Sequence, residues 1–225
     1  MPLYMRLRVR EITMDLSPTM QRIAKHCFTN ATIVADRFHV QRLMNEAISD
    51  LRIEHRWKAI AQDNCERALA KETGFTYMPF VFRNGDTRKQ LLARSRHLLM
   101  KNCTKWTYDQ KVRAEILFEN YPDIREAYEM SMELTGIYNK HSIKNAARLN
   151  LARWCDKLER IGNKIFSTIK DTIYNNTDEI LNFWINRSTN AYAESFNAKV
   201  KAFRSQFRGV SDIPFFIFRL STILA

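Results

Sequence analysis

The feature that most constrains the fold of this chain is its scarcity of residues that break helices. Only five glycines and five prolines occur in 225 residues, whereas good helix formers are frequent. Hydrophobic residues make up 45% of the chain, which allows a substantial core and argues against wholesale disorder. Apolar side chains recur at helical spacing, as at Leu43, Ala47 and Leu51. The composition predicts long helices in one large domain, or in a core domain that carries an insertion.

Two short stretches near the start depart from the helical pattern. Residues 9–14 and residues 30–35 are rich in strand-forming side chains, and the two stretches end at Asp15 and Asp36. Between them the Ser-Pro step at 17–18 predicts a helix start, with the serine as cap and the proline at the first helical position. This strand–helix–strand order places an acidic residue at the carboxyl end of each strand, where open α/β sheets hold their chemistry.

Later signals divide the rest of the chain. An Asn-Gly-Asp sequence at 84–86 predicts a turn, and Thr107 predicts the start of a helix. A helix is predicted over residues 189–203, Gly209 interrupts the pattern, and a final apolar helix begins at about Ile213. The fold class predicted from these residues is α/β, but mostly α.

One polar stripe on the predicted helix at 189–203 is a candidate for chemistry. Wound at about 100° per residue, four polar side chains fall within about 60° of one another: Asn190, Glu194, Asn197 and Lys201. Apolar flanks on both sides favour a helix packed on a sheet that presents the Glu194 carboxylate to a cleft. The alternative is an ordinary solvated or salt-bridged glutamate.

The charge balance favours a polyanionic partner. The chain has 36 basic and 24 acidic residues, a formal net charge of +12, and each phosphate that a protein neutralises releases condensed counterions. Nucleic acid is therefore favoured over a membrane surface or an acidic protein. The alternative for any one basic residue is a solvated helix face. The candidates to contact a nucleic-acid backbone are Arg88, Lys89, Arg96, Lys101, Arg187, Asn197, Lys201 and Arg204. Trp106 and Tyr108 are candidates to stack on a base unless they belong to the core.

Cysteine usage and hydropathy bear on location. The four cysteines are widely spaced and form no C-x-x-C pair, so neither a zinc knuckle nor a disulfide framework is predicted. We expect reduced, mostly buried thiols in a cytoplasmic protein. Three arginines between residues 6 and 10 interrupt the only apolar stretch near the start, and no apolar run is long enough to span a bilayer.

Four blocks of the chain, in this order, resemble bacterial insertion-sequence DDE transposases of the ISL-three type. Glu11-Ile-Thr-Met-Asp15, followed by a serine, is similar to the strand that bears the second acid of the catalytic triad. Ala35-Asp-Arg-Phe-His-Val40 resembles the aspartate-x-x-histidine block of the family, and residues 82–96 resemble its helical insertion. Residues 188–204 resemble the segment that contains the last acid. The resemblance runs from Leu7 to the C-terminus.

The resemblance implies a fold and a chemistry. It implies a partial ribonuclease-H-like core at 1–50, an all-helical insertion at 51–178, and C-terminal helices of the core at 179–225. Phosphodiester cleavage and strand transfer of this kind use two divalent cations about 4 Å apart, Mg²⁺ or Mn²⁺, held by carboxylates.

The same resemblance assigns residues and partners. Asp15 and Glu194 would be metal ligands, with Asp36 as the competing second acid. Asp36 and His39 are otherwise expected to shape the site or contact DNA, unless His39 is simply a buried, hydrogen-bonded histidine. The implied partners are transposon-end and target DNA and, at full length, further copies of the chain. The implied location is the bacterial nucleoid, without a membrane.

The chain also departs from the family pattern. Residues 1–8 contain no acid, although the first acid of the triad belongs on a strand upstream of the matching segment. We therefore expect a chain that starts inside the catalytic domain, lacks the N-terminal DNA-binding region, exposes a sheet edge, and is inactive alone. A catalytically inactive DNA-binding or regulatory remnant is the alternative, and a basic helical scaffold for an acidic partner is a third.

Overall fold

The computed structural model describes residues 1–140, 142–162, 164–207, 209 and 211–224. This part of the chain is mostly helical with one small sheet, as the sequence predicts. The elements in chain order are α1 (Leu3–Arg8), β1 (Glu11–Met14), α2 (Pro18–Cys27), β2 (Thr32–Ala35), α3 (Arg37–Thr73), α4 (Arg88–Arg94), α5 (Tyr108–Asn120), α6 (Pro122–Asn139), α7 (Lys144–Ile161), α8 (Lys164–Asn175), α9 (Thr177–Leu181), α10 (Phe183–Asn186), α11 (Ala191–Gln206) and α12 (Ile213–Leu224).

The two predicted strands form a parallel pair connected by α2. Glu11 pairs with Thr32, and Met14 pairs with Ala35. The ladder extends one step further, because the backbone N–H of Asp36 donates to the carbonyl of Met14 at 2.7 Å. Both strands were predicted with their correct ends, although each begins two residues later than expected.

The helix α2 begins where the sequence predicts a helix cap, and α3 begins directly after the second strand. Ser17 is the N-cap of α2 and is followed by a proline in its first turn, but the serine side chain makes no capping hydrogen bond. The cap of α3 is Asp36, whose Oδ1 accepts from the backbone N–H of Phe38 at 3.2 Å. α3 continues for 37 residues and ends at Gly74, which has a φ of +72°. A left-handed C-cap of this kind favours glycine.

The long helix α3 organises the core. Its buried stripe includes Val40, Met44, Ile48 and Leu51 and packs against α6 and α4. The helices α5, α7 and α8 extend this packing, and the buried residues form a continuous cluster from Val34 in β2 to residues of α10. The sheet and the helical region thus share one core, and α3 crosses residue 50 without interruption.

The chain returns to the sheet after α8. The helix α9 packs on β2, and the side-chain Nδ2 of Asn182 donates to the carbonyl of Ile33 at 2.8 Å. At the start of β1, Asn186 Nδ2 donates to Glu11 Oε2 at 2.7 Å. These two asparagines fasten the end of the helical region to both strands.

Two expectations about packing are wrong. The helix that carries Glu194, α11, packs extensively against no other element in the part of the chain that the structure describes. Two of the apolar residues beside the polar stripe, Tyr192 and Phe196, are 93% and 52% exposed, and α11 instead contacts α12 through Phe203 and Phe216. The cysteines are free as expected but not mostly buried, since Cys65 and Cys103 are exposed and the other two are partly exposed.

A search of the described helices for one long and apolar enough to cross a membrane found none.

Candidate functional site

The carboxyl edge of the two-stranded sheet brings two of the predicted site residues together. Asp15 and Asp36 each follow directly on the register pair formed by Met14 and Ala35. Because the strands are parallel, both aspartates lie at the same edge of the sheet. The two strand-end acids are therefore neighbours.

Asp36 is committed to the local structure. Its side chain is fully buried, Oδ1 accepts from the N–H of Phe38, and Oδ2 accepts from His39 Nδ1 at 3.1 Å. The His39 side chain is 24% exposed. Oδ1 of Asp36 thus caps the start of α3 and Oδ2 orients the His39 ring, whose Nε2 atom has no hydrogen-bond partner among the described residues.

Asp15 has a freer carboxylate. Its Oδ1 accepts from the backbone N–H of Ser17 at 3.2 Å, which is an Asx-type turn ahead of α2. Its Oδ2 has no hydrogen-bond or ion-pair partner among the described residues, and the side chain is partly exposed. Of the two strand-end aspartates, Asp15 is therefore the one with an oxygen available to a metal ion.

Glu194 lies in the first turn of α11 and is exposed. The chain reaches α11 from Asn186, which is bound to Glu11 at the start of β1. The next residue, Arg187, donates to the carbonyls of Tyr138 and Lys140, and Asn139 between them accepts from Arg37, which follows Asp36. The described residues contain no group of three or more His, Cys, Asp or Glu side chains placed to hold a metal ion.

The basic residues predicted to contact DNA in the helical region separate into two kinds. Arg88 binds Glu66 at 3.2 Å and lies over the Phe80 ring, and Lys89 binds Asp63 at 2.8 Å. Arg96 and Lys101 are exposed, and no ion pair is found for either within the described structure. Arg96 and Lys101 are therefore free to contact a phosphate, whereas Arg88 and Lys89 connect α4 to α3.

The predicted DNA-binding residues near Glu194 separate in the same way. The guanidinium of Arg187 donates to the carbonyls of Lys140 and Tyr138, at 3.1 and 2.8 Å, and lies over the Phe183 ring. It therefore fastens α10 to the end of α6. Three other candidates are exposed on α11, without an ion pair to any described residue: Asn197, Lys201 and Arg204.

The two aromatic candidates also differ. Trp106 donates its Nε1 hydrogen to the carbonyl of Leu98 at 2.8 Å and packs against Phe118 and Tyr128. Its indole thus packs in the interior, as expected from the alternative that Trp106 belongs to the core. Tyr108 is 80% exposed.

Sequence reasoning missed a buried cation in α3. Arg52 is 6% exposed and donates from Nη1 to the carbonyl of Leu92 at 3.1 Å. Burial lowers the pKa of its guanidinium, and the neighbouring charges of Arg96 and Arg56 lower it further. A signal for this residue was present in the sequence, because Arg52 follows the buried Ile48 by four residues and therefore falls on the apolar stripe of α3.

Comparison with known families adds a single finding to this geometry. The model of a family described as a transposase, of the DDE class and ISL-three type, matches residues 3–220. Searches of curated proteins and of solved structures gave no significant match.

Proposed function

Because this chain belongs to the DDE transposase family of the ISL-three type, we propose that it supplies two carboxylates to metal-dependent cleavage and strand transfer of insertion-sequence end DNA. Members of this family are transposases, and hence polynucleotidyl transferases. The proposed substrate is the DNA at the ends of the element together with its target. The proposed setting is the bacterial nucleoid, and the proposed assembly is a homo-oligomer.

The observation that carries this proposal is the position of Asp15. It is an aspartate at the carboxyl edge of a parallel sheet, held by one hydrogen bond to Ser17 and with its second oxygen unpaired among the described residues. Asp36 is adjacent, but both of its carboxylate oxygens accept hydrogen bonds, one from Phe38 and one from His39. We therefore assign Asp15 as the metal ligand, and Asp36 and His39 as the pair that holds the start of α3 beside it.

The donor set fits a hard divalent cation. Mg²⁺ and Mn²⁺ prefer carboxylate oxygens and keep several waters, which suits a partly exposed aspartate. When bound, such ions activate an attacking oxygen and stabilise the leaving oxygen of a phosphodiester. We assign Glu194 as the second ligand because it lies in the segment that resembles the family's last-acid block and is exposed rather than paired.

The domain arrangement follows from the same assignment. We propose that β1, α2 and β2 are part of a ribonuclease-H-like core and that residues 51–178 are its helical insertion. The return of the chain to both strands through Asn182 and Asn186 supports this arrangement, because it brings the segment before α11 back to the sheet.

A second candidate function is a DNA-binding or regulatory protein without catalytic activity. The exposure of Glu194 on a helix that packs extensively on no described element favours it. Under this second candidate function the chain does not cut DNA. Supercoiled plasmid incubated with the purified chain and Mn²⁺ should stay intact. Nicking that disappears in Asp15→Asn would refute the inactivity and support the site.

Manganese binding tests the site itself. Electron paramagnetic resonance measures free Mn²⁺ in titrations of the wild-type chain, Asp15→Asn and the control Asp171→Asn, which changes an exposed aspartate of α8. Loss of an outer-sphere partner already weakens metal binding about 10- to 100-fold, so loss of a direct ligand should weaken it at least about 10-fold. The control should bind as the wild type does. Equal binding by Asp15→Asn and wild type would remove Asp15 from the site.

A further inference from the structure

Three arginines meet where α3 crosses the end of α4. Arg52 and Arg56 are one helical turn apart on α3, and Arg96 follows the last turn of α4. Arg52 is buried, whereas Arg56 and Arg96 are exposed. Arg52 Nη1 contacts the carbonyl of Leu92, four residues before Arg96, and Arg56 lies one turn after Arg52, so the three cations lie in one region of the contact between α3 and α4. The charges of Arg56 and Arg96 act on the Arg52 guanidinium there.

No carboxylate neutralises this cluster among the residues that the structure describes. The neighbouring cations behave differently: Arg88 is paired with Glu66, Lys89 with Asp63, and Arg94 and Arg113 share Asp86. Like charges one helical turn apart destabilise a helix, and a buried cation without a counter-ion is costly. The neighbouring basic residues are thus balanced internally, while Arg52, Arg56 and Arg96 lack a negative partner.

Capping of α4 explains only part of this arrangement. Arg52 satisfies the carbonyl of Leu92 near the carboxyl end of α4, where a cation is favourable. That role uses Nη1 alone, and the Nε atom of Arg52 is buried without a hydrogen-bond partner. Neither Arg56 nor Arg96 contributes to the cap. An anion bound beside Arg52, Arg56 and Arg96 would supply a hydrogen-bond acceptor for Arg52 Nε and a negative charge for the three arginines.

We propose that Arg52, Arg56 and Arg96 form a phosphate-binding site that holds a phosphodiester of the DNA backbone against the helical insertion. Guanidinium groups bind phosphate oxygens through paired N–H donors. Such contacts position a duplex without reading its sequence. The choice of DNA as the source of the phosphate rests on the proposed function, whereas the anion site rests on the three arginines themselves.

The test uses the two exposed arginines, whose replacement leaves the core intact. Fluorescence anisotropy measures the affinity of the chain for a labelled duplex of arbitrary sequence between 50 and 200 mM salt, for wild type and for Arg56→Ala/Arg96→Ala. Loss of two phosphate contacts lowers the slope of log affinity against log salt by about 1.8. Between these salt concentrations the affinity of the wild type should therefore fall about 12-fold more than that of the variant.

The matched control removes the same charge elsewhere. Arg83→Ala/Arg125→Ala replaces two exposed arginines that are paired with Glu119 and Glu129, so the net charge falls by two in both variants. The control should keep the wild-type slope. An unchanged slope in Arg56→Ala/Arg96→Ala, or an equal loss in the control, would overturn the proposal.

Inorganic phosphate distinguishes the two sources of the ligand. If phosphate raises the melting temperature of the wild type but not of Arg56→Ala/Arg96→Ala, while both have the same DNA slope, the cluster binds small phosphates and the assignment to DNA is refuted. Mn²⁺ binding by the same variant should equal that of the wild type. A failure of this proposal is thereby separate from a failure at Asp15.

Discussion

The buried carboxylate of Asp86 offers a stringent test of the forces that hold the helical region together. Asp86 is fully buried in the turn before α4. Its Oδ1 accepts from Arg94, and its Oδ2 accepts from Arg113 Nε and from Asn84 Nδ2, both at 2.9 Å. One carboxylate thus joins the turn, α4 and α5. Asp86→Asn keeps the shape of the side chain but removes the charge and places an NH₂ group among donors.

The expected cost follows from burial and from the exposure of the partners. Removing one partner of a buried ion pair costs about 3–5 kcal/mol. Arg113 is 20% exposed, but Arg94 is 55% exposed and regains water when the carboxylate is neutralised. We therefore expect the lower end of the range, about 3 kcal/mol, which corresponds to a melting temperature about 6–12 °C lower for a chain of this length.

Urea denaturation followed by circular dichroism measures this loss directly. Asp171→Asn is the control, because its carboxylate is exposed and its loss should change the free energy of unfolding by less than about 0.5 kcal/mol. A loss below about 1 kcal/mol for Asp86→Asn would show that the cluster is solvated and would refute the reasoning.

The pH dependence provides a second check on the same residue. Burial raises the pKa of Asp86, but the hydrogen bonds and charges of Arg113 and Arg94 outweigh this effect and hold the pKa below its ordinary value of 3.8. A lowered folded pKa means that the carboxylate stabilises the fold above the unfolded pKa and ceases to do so as the pH falls through the folded value. The difference in stability between wild type and Asp86→Asn should therefore shrink below about pH 4. A difference that stays constant through this range would contradict the assignment.

Two further substitutions test the helix ends. Gly74→Ala should lower the free energy of unfolding by about 1 kcal/mol, because alanine is strained at a φ of +72°, and a change near zero in the urea midpoint would contradict this conformation. Arg187→Ala removes the hydrogen bonds to the carbonyls of Tyr138 and Lys140 and the contact with Phe183, so we expect a loss of about 2 kcal/mol. The DNA affinity of the same variant should change little if Arg187 binds only within the protein. A large loss of DNA affinity would instead show that Arg187 contacts DNA.

Local signals in the sequence predicted those parts of the fold that depend on neighbouring residues. The β-branched run before Asp36, the Ser-Pro step at 17–18 and the threonine at 107 each specify an element end through their own backbone preferences. The structure has β2, α2 and α5 at these positions, and at Thr107 the capping hydrogen bonds are present.

Tertiary contacts decided what the sequence did not show. The periodicity around Glu194 describes the faces of a helix, but it does not show whether the apolar residues on one face pack against another element. Tyr192 is exposed and packs against none of the described elements. The sequence predicts the same contact with DNA for Arg88, Lys89, Arg96 and Lys101, yet Arg88 and Lys89 are neutralised by acids of α3 that precede them by 22 and 26 residues. Arg52, Arg56 and Arg96 form a cluster only because α4 folds back on α3.

The central claim is that Asp15 and Glu194 hold metal in one site, and a double-mutant cycle of Mn²⁺ binding tests it most directly. Electron paramagnetic resonance titrations compare the wild type with Asp15→Asn, Glu194→Gln and the double variant. Each single variant should bind at least about 10-fold more weakly, and the double variant should lose little more than either one, because the two ligands act together. Wild-type affinity in Glu194→Gln, or losses that add in free energy, would place the two carboxylates apart and contradict a shared metal site.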